Sequence, residues 1–470
     1  MRKTRIFAGV LAVVLLLSAC AAPEDSTVHG TDSPIQKADL EAGYDENSVV
    51  NITCGGTEIF VDGAGAQWEK GVLTISGKGD YLLTGNLSGQ ILVKADGEAV
   101  HLILRDLTVT SPDGPALHTR KTEKLIITLE GQNTLSDSVA YTLEEGEDEP
   151  NACVFAKCDL TINGSGSLRV NGNYSHGIRS KDNLVLTGGT YTVNAVDSAV
   201  KGKDSISLWN VDMTLTSQGD GIHSDGTLQI LGGSFTVSAG DDGIHAETEL
   251  LIADGSIDIP RSYEGIEGQN VTISGGTIRL VSSDDGINAA VGENGGRDCS
   301  ILISGGAVTV DASGDGVDSN GTLRIEGGTL YVNGPTSNGN GALDYDFSGT
   351  ITGGTVFAVG AGGMAAGFGQ ESTQYSFMVN LNCAPGEKLV VSDGTGEEIA
   401  SFYPTKTYQN VVFSSPDLKE GQLYTVSCGT QSVSVTLTSI STGFSGMSGF
   451  GGHRGPGPGN EGGFGGPGRP

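Results

Sequence analysis

The chain is poor in bases, in aromatic rings and in helical pattern. Lysine and arginine together number 26 of 470 residues, against 56 aspartates and glutamates, for a formal net charge of −30. Phosphate binding needs a basic face, so nucleic acid is excluded as a partner, and a bare anionic polymer is repelled. Neutral glycans fit, and acidic glycans fit if a divalent cation bridges carboxylate to carboxylate. Aromatic residues make up 6% of the chain, with two tryptophans, so any sugar-stacking platform is small. No stretch carries apolar residues at helical spacing. The six cysteines after Cys20 (Cys54, Cys153, Cys158, Cys299, Cys383 and Cys428) follow no zinc spacing. Buried free thiols are the expectation for most of them, and Cys383 with Cys428 is the pair to test for a disulfide.

The one continuous apolar run, Ile6 to Leu17, is too short to span a bilayer comfortably. It follows Arg2, Lys3 and Arg5 and leads into Leu17-Ser18-Ala19-Cys20. A basic head, an apolar middle and small residues before a cysteine predict a lipoprotein signal over 1–19, cleaved before Cys20 with lipid on its thiol. Cleavage would remove three bases and no acids, leaving 26 − 3 = 23 bases against 56 acids, a charge of 23 − 56 = −33. Residues 20–48 are polar and acidic and read as a flexible spacer, and residues 441–470 as a Gly/Pro-rich disordered tail. The expected location is the outer face of the cell membrane, reached through the lipid alone.

Glycine is abundant, 75 of 470, and it repeats. His176-Gly177-Ile178-Arg179 is followed by Ser198-Ala199-Val200-Lys201, Asp220-Gly221-Ile222-His223 and Asp242-Gly243-Ile244-His245. Then come Glu264-Gly265-Ile266-Glu267, Asp285-Gly286-Ile287-Asn288, Asp315-Gly316-Val317-Asp318 and Gly341-Ala342-Leu343-Asp344. The intervals are 22, 22, 22, 22, 21, 30 and 26. A second marker keeps phase: Gly188-Gly189, Gly232-Gly233, Gly275-Gly276, Gly327-Gly328 and Gly353-Gly354. Around each pair apolar residues alternate, as in Leu184, Leu186, Tyr191 and Val193, or Leu323, Ile325, Leu330 and Val332. Alternation places them on one face of short strands.

Three strands and their turns fill such a repeat, and no leucine-rich consensus is present. The pattern predicts an all-β fold, a right-handed, single-stranded parallel β-helix over 49–371, with a small β appendage over 372–440 as cap. About a dozen coils at ~4.8 Å give a rod of roughly 55 Å. The glycines are expected where the chain turns sharply or takes positive φ.

Stacking would bring repeat-equivalent residues to within one strand spacing. The acids that open the repeats, with their doubled neighbours, then form a column: Asp220, Asp241, Asp242, Glu264, Asp284, Asp285, Asp315 and Asp318. Like charges so close repel unless protonated, exposed or bridged by metal, and oxygen ligands suit Ca²⁺. The competing account is that Asp-Gly is good turn chemistry, which explains any single case. Arg179 and Lys201 are the bases of the series. They are candidates for the general base of a uronate lyase, and equally for solvated turn residues or partners of the acids. His223 and His245 read as surface members of the ladder rather than metal ligands, for want of a third nitrogen. Lys201, Trp209 and Tyr263 are the candidate carbohydrate contacts, with scattered exposed aromatics as the alternative account of the two rings.

The strings Gly77–Asp96, Asp106–Ala116, Ser262–Gly268, Ser283–Ala289 and Phe402–Asp417 resemble the clostridial carbohydrate-binding parallel β-helix lipoprotein family. The resemblance runs from about Asn51 to Leu437. It implies a polysaccharide-lyase-like β-helix without established catalysis, calcium sites, and binding to cellulose or polygalacturonate-like polymers. The expected function is therefore Ca²⁺-assisted, non-catalytic polysaccharide binding at the cell surface. A Ca²⁺-dependent uronate lyase and a structural surface adhesin are the alternatives.

Overall fold

The computed structural model describes residues 35–143, 145–291 and 298–443. Cys20 with its signal, and the tail from 444 onward, lie outside the described residues. Among those described, the only α-helix is the single turn Lys37–Leu40; the rest is strand and turn.

One coil shows how the repeat is built. Val200–Gly202, Ser205–Trp209 and Val211–Ser217 are its three strands. Each pairs in parallel with its equivalent one coil before: His176–Ser180, Asn183–Thr187 and Thr190–Ala195. About 12 such coils stack into a parallel β-helix. The first-strand register can be followed residue by residue. Leu92 pairs with His118, His118 with Phe155, and Phe155 with Arg179. The ladder continues through Lys201, His223, His245, Glu267, Asn288, Asp318 and Asp344.

The alternating residues point inward as expected. Leu184, Ile206, Leu228, Leu250, Val271, Ile301 and Leu323 form one continuous apolar column, each at most 1% exposed. Ile178, Val200, Ile222, Ile244, Ile266, Ile287 and Val317 form a second. Each such side chain contributes roughly 1.5–3 kcal/mol by leaving water.

The glycines divide into two kinds, only one of which was anticipated. The second glycine of each pair does take positive φ, as at Gly276 with φ 83°. The glycine of the Asp-Gly-Ile motif does not. A Cβ on Gly243 would lie 2.6 Å from the carbonyl oxygen of Gly265 and 2.9 Å from Ile259. That position needs glycine because the next coil passes too close, not because the backbone is left-handed.

Both ends are closed. Val50–Gly56 pairs antiparallel with Glu58–Asp62, and Ala66–Glu69 with Val72–Ile75, so the first coils are covered by hairpins. At the other end Thr355–Gly360 pairs antiparallel with Tyr408–Ser414, which pairs with Ser376–Cys383. A four-stranded antiparallel sheet follows, formed by Glu398–Phe402, Leu389–Asp393, Leu423–Cys428 and Gln431–Thr436. The disulfide Cys383–Cys428 joins it to strand Ser376–Cys383, while Cys54, Cys153, Cys158 and Cys299 are free and buried.

The described part of the expected spacer, residues 35–48, packs against the rod. Asp39 is buried, receiving Lys124 Nζ at 2.7 Å and the Thr161 hydroxyl at 2.6 Å. Its carbonyl accepts from the Thr187 hydroxyl at 2.9 Å. A polar sequence conceals this contact because the attraction is ionic and directional rather than apolar.

Candidate functional site: a stacked column of ionisable side chains

The ladder from Arg179 to Asp344 lies along one side of the rod, and its chemistry changes steadily. Bases come first, imidazoles next, carboxylates last. Beside it runs the column that opens each repeat, held by backbone bonds between coils. The carbonyl of Asp220 accepts from Ala199 N–H, that of Asp242 from Gly221, that of Glu264 from Gly243, and that of Asp285 from Gly265. Several of these acids also cap the next coil with their side chains. Asp220 Oδ1 accepts from the N–H of Asp242 at 3.3 Å, and Asp285 Oδ1 from that of Asp315 at 2.6 Å. Turn chemistry thus accounts for part of the aspartate pattern.

It does not account for the crowding. Asp285, Asp315 and Asp318 each bring a carboxylate oxygen within 4.8 Å of the other two. Burial and the surrounding acids push Asp315 up to about 6 and Asp318 up to about 7. Glu264 is pushed up to about 7 by burial and by Asp242, Asp285 and Asp284, although Asn288 Nδ2 donates to it at 2.9 Å. Asn288 is 7% exposed, and its side-chain oxygen has no hydrogen-bond partner among the described residues. The nitrogen is spent on Glu264 of the preceding coil, and Asp318 is the register partner of Asn288 on the following one. A Cβ on Gly314 would collide with the carboxylates of Asp285 and Asp284, so the chain passes close to them only as glycine. An all-oxygen donor set with an unpaired buried oxygen on the adjoining coil fits a hard cation such as Ca²⁺.

The other expected residues are placed as follows. Asp241, Tyr263 and Asp284 form a third column: Tyr263 N–H donates to Asp241 O at 2.8 Å and Asp284 N–H to Tyr263 O at 2.9 Å. Tyr263 is exposed beside the acids. Trp209 pairs with Thr187 on a different ladder, so the structure does not bring it to Tyr263. Lys201 Nζ sits 3.2 Å from Asp225, and Arg179 donates to Asn151 at 2.6 Å and lies 3.8 Å from Glu149. Both bases are therefore held by acids outside the opening column. Asp220, Asp241 and Asp242 group at the imidazole end instead of with Asp285.

Sequence reasoning left Glu267, Asn288 and Asp344 out of the site, although the register column names them three residues after the residue that opens each repeat. It also missed a recess beyond the basic end, lined in part by Gln90, His118, Arg120, Tyr141, Phe155 and Lys157. Tyr141 stacks on Tyr174 there, with ring centroids 4.1 Å apart. The non-repetitive loop that builds it gives no periodic signal.

A curated protein from Acetivibrio thermocellus, described as a carbohydrate-binding domain-containing protein, is 31% identical over 199 residues, 41% of this chain. The chain spans 65% of that relative's length. A solved structure described as a polysaccharide lyase-like protein from C. thermocellum, in a gadolinium derivative, is 22% identical. It covers 64% of this chain and 96% of its own, with a TM-score of 0.38. The family described as carbohydrate-binding domain-containing protein matches residues 69–299, the stretch that holds the recess, both bases and both histidines, in agreement with the family resemblance in the sequence.

Proposed function

We propose that this chain binds polysaccharide, without cleaving it, along the face that runs from the Tyr141 recess to the carboxylate end of the ladder. Ca²⁺ at Asp285, Asp315 and Asp318 would supply the positive charge that this end lacks, so that carboxylates of a pectin-like glycan meet cations at both ends. The observation that carries the calcium is the unpaired Asn288 oxygen beside three crowded carboxylates. The carbohydrate-binding family match over 69–299 supports the ligand class. Binding without cleavage is favoured by the pairing of Lys201 with Asp225, which occupies a candidate base. In this reading lipid on Cys20 tethers the rod to the outer face of the membrane.

A glycan array carrying polygalacturonate and cellulose, probed with and without chelator, tests it. Binding to polygalacturonate is expected, reduced about tenfold or more by chelator or by Asp318→Asn. Chelator leaving both binding and melting temperature unchanged would defeat the calcium assignment. Unsaturated uronate products that vanish in Lys201→Ala would show a lyase instead. Absence of any glycan binding would favour a structural adhesin.

A further inference from the structure

Between Arg179 and Asp344, two adjacent coils of the ladder carry imidazole where the others carry guanidinium, amine, amide or carboxylate. His223 and His245 are register partners, their rings edge to face with centroids 4.7 Å apart. Asp220 Oδ2 lies 2.7 Å from His223 Nδ1. Asp242 Oδ2 lies 3.2 Å from His245 Nδ1, and Glu267 Oε2 lies 3.8 Å from the same nitrogen. Asp220, His223 and His245 each bring one ligand atom within 4.8 Å of the other two, and Asp242, His245 and Glu267 do the same. His245 belongs to both triplets. Asp220, His223 and Asp242 are each at most 9% exposed.

Ligand type decides which ion such a group takes. Ca²⁺ is an oxygen-binding cation, whereas imidazole selects zinc, nickel, copper and iron. Ligand atoms in a tetrahedral zinc shell lie about 3.3 Å apart, given bonds of about 2.0–2.1 Å. The ligand atoms here lie within 4.8 Å of one another, so binding requires side-chain rotation on a backbone that the ladder fixes. The plainer account is that each histidine only pairs with its own aspartate. His223 does so fully, since its Nε2 also meets Asp225 at 3.0 Å. His245 does not, because Asp242 and Glu267 both crowd one nitrogen.

We propose that Asp220, His223, Asp242 and His245 form a site for a divalent transition-metal ion of the zinc class, separate from the all-oxygen group at Asp285, Asp315 and Asp318. The third nitrogen whose absence argued against a metal is not required, since two imidazoles and carboxylates complete a four-coordinate shell. The centres are three coils apart, about 14 Å at the strand spacing. One face would then carry two ions of different chemistry.

The test takes the whole chain, stripped by chelator and dialysed, and titrates it separately with Co²⁺, Zn²⁺ and Ca²⁺. Co²⁺ is expected to bind with a visible absorption band that Zn²⁺ displaces. His223→Gln and His245→Gln should each weaken Co²⁺ about tenfold or more and remove the band, with Ca²⁺ binding unchanged. Retained Ca²⁺ binding also shows that these variants are folded. Asp318→Asn should do the reverse, weakening Ca²⁺ and sparing Co²⁺. Co²⁺ affinity that is the same in both histidine variants as in the parent overturns the proposal, as does the absence of a band in the parent. Failure of Ca²⁺ alone to bind would defeat the calcium assignment and leave this one standing.

Discussion

At the scale of single residues, the ladder stores repulsion that protons or cations relieve. A carboxyl whose pKa is raised on folding costs stability as pH climbs from its unfolded value, about 4, through its folded one. Asp315 at about 6, Asp318 and Glu264 at about 7, and Glu267 at about 8 all act in this direction. His245, pushed up to about 9 by Asp242 and Glu267 against the opposing effect of burial, acts likewise: its contribution is full below about 6.5 and gone above 9. Buried His118 and His176, pushed down to about 4, oppose this only below about 6.5, where the unfolded chain takes up their protons. In chelator the melting temperature should therefore fall as pH rises from about 6.5 to 8. Asp318→Asn should flatten that fall. Thermal melts across this range, in parent and variant, check it, and a rising melting temperature would contradict the raised proton affinities.

At the scale of the element, the strand that carries the site begins just after a glycine packed closely against the next coil. The ladder residue points out while its neighbour two back, a glycine, faces the next coil. Gly243→Ala must push its methyl against the Gly265 carbonyl and Ile259, an overpacking expected to cost about 1–3 kcal/mol. Gly339→Ala, with nothing within 4 Å of the added carbon, should change little. Urea unfolding of both variants separates a steric demand from a general loss of glycine. The aspartate beside each such glycine was legible as turn chemistry, and the structure agrees where Asp220 and Asp285 cap the following coil. What one-dimensional reading missed is that the glycine answers to a neighbour about 22 positions away.

At the scale of the whole molecule, the rod depends on its closed ends. Its last coil offers strand Thr355–Gly360, and the antiparallel strand Tyr408–Ser414 covers it. Behind that cover stand Phe357, Phe377 and Phe413, all buried, with Cys383–Cys428 tying the terminal sheet to strand Ser376–Cys383 beside it. A bridge across a 45-residue separation stabilises by about 4 kcal/mol in the chain-entropy account. Reduction, or Cys428→Ser with Cys383→Ser, should loosen the cap while leaving the coils folded. An uncovered edge strand then invites pairing between molecules. Hydrogen exchange should show protection lost over 376–436 and kept at Ile252 and Ile273, with oligomers appearing in size-exclusion chromatography. Uniform loss of protection along the chain would mean that cap and rod unfold as one.

The amino-acid sequence by itself determined the repeat, the inward columns and the register that lines up Arg179 through Asp344. These follow from period-two alternation and a near-constant interval, which are local properties of the chain. Only the tertiary structure decided which members of the column work together. It set Glu267 and both histidines beside Asp220 and Asp242, left the Asn288 oxygen unpaired next to Asp318, took Trp209 to another ladder, and laid Asp39 against Lys124. Those outcomes depend on side-chain direction, burial and the charge of neighbours on adjacent coils, none of which is written in the spacing of residues along the chain.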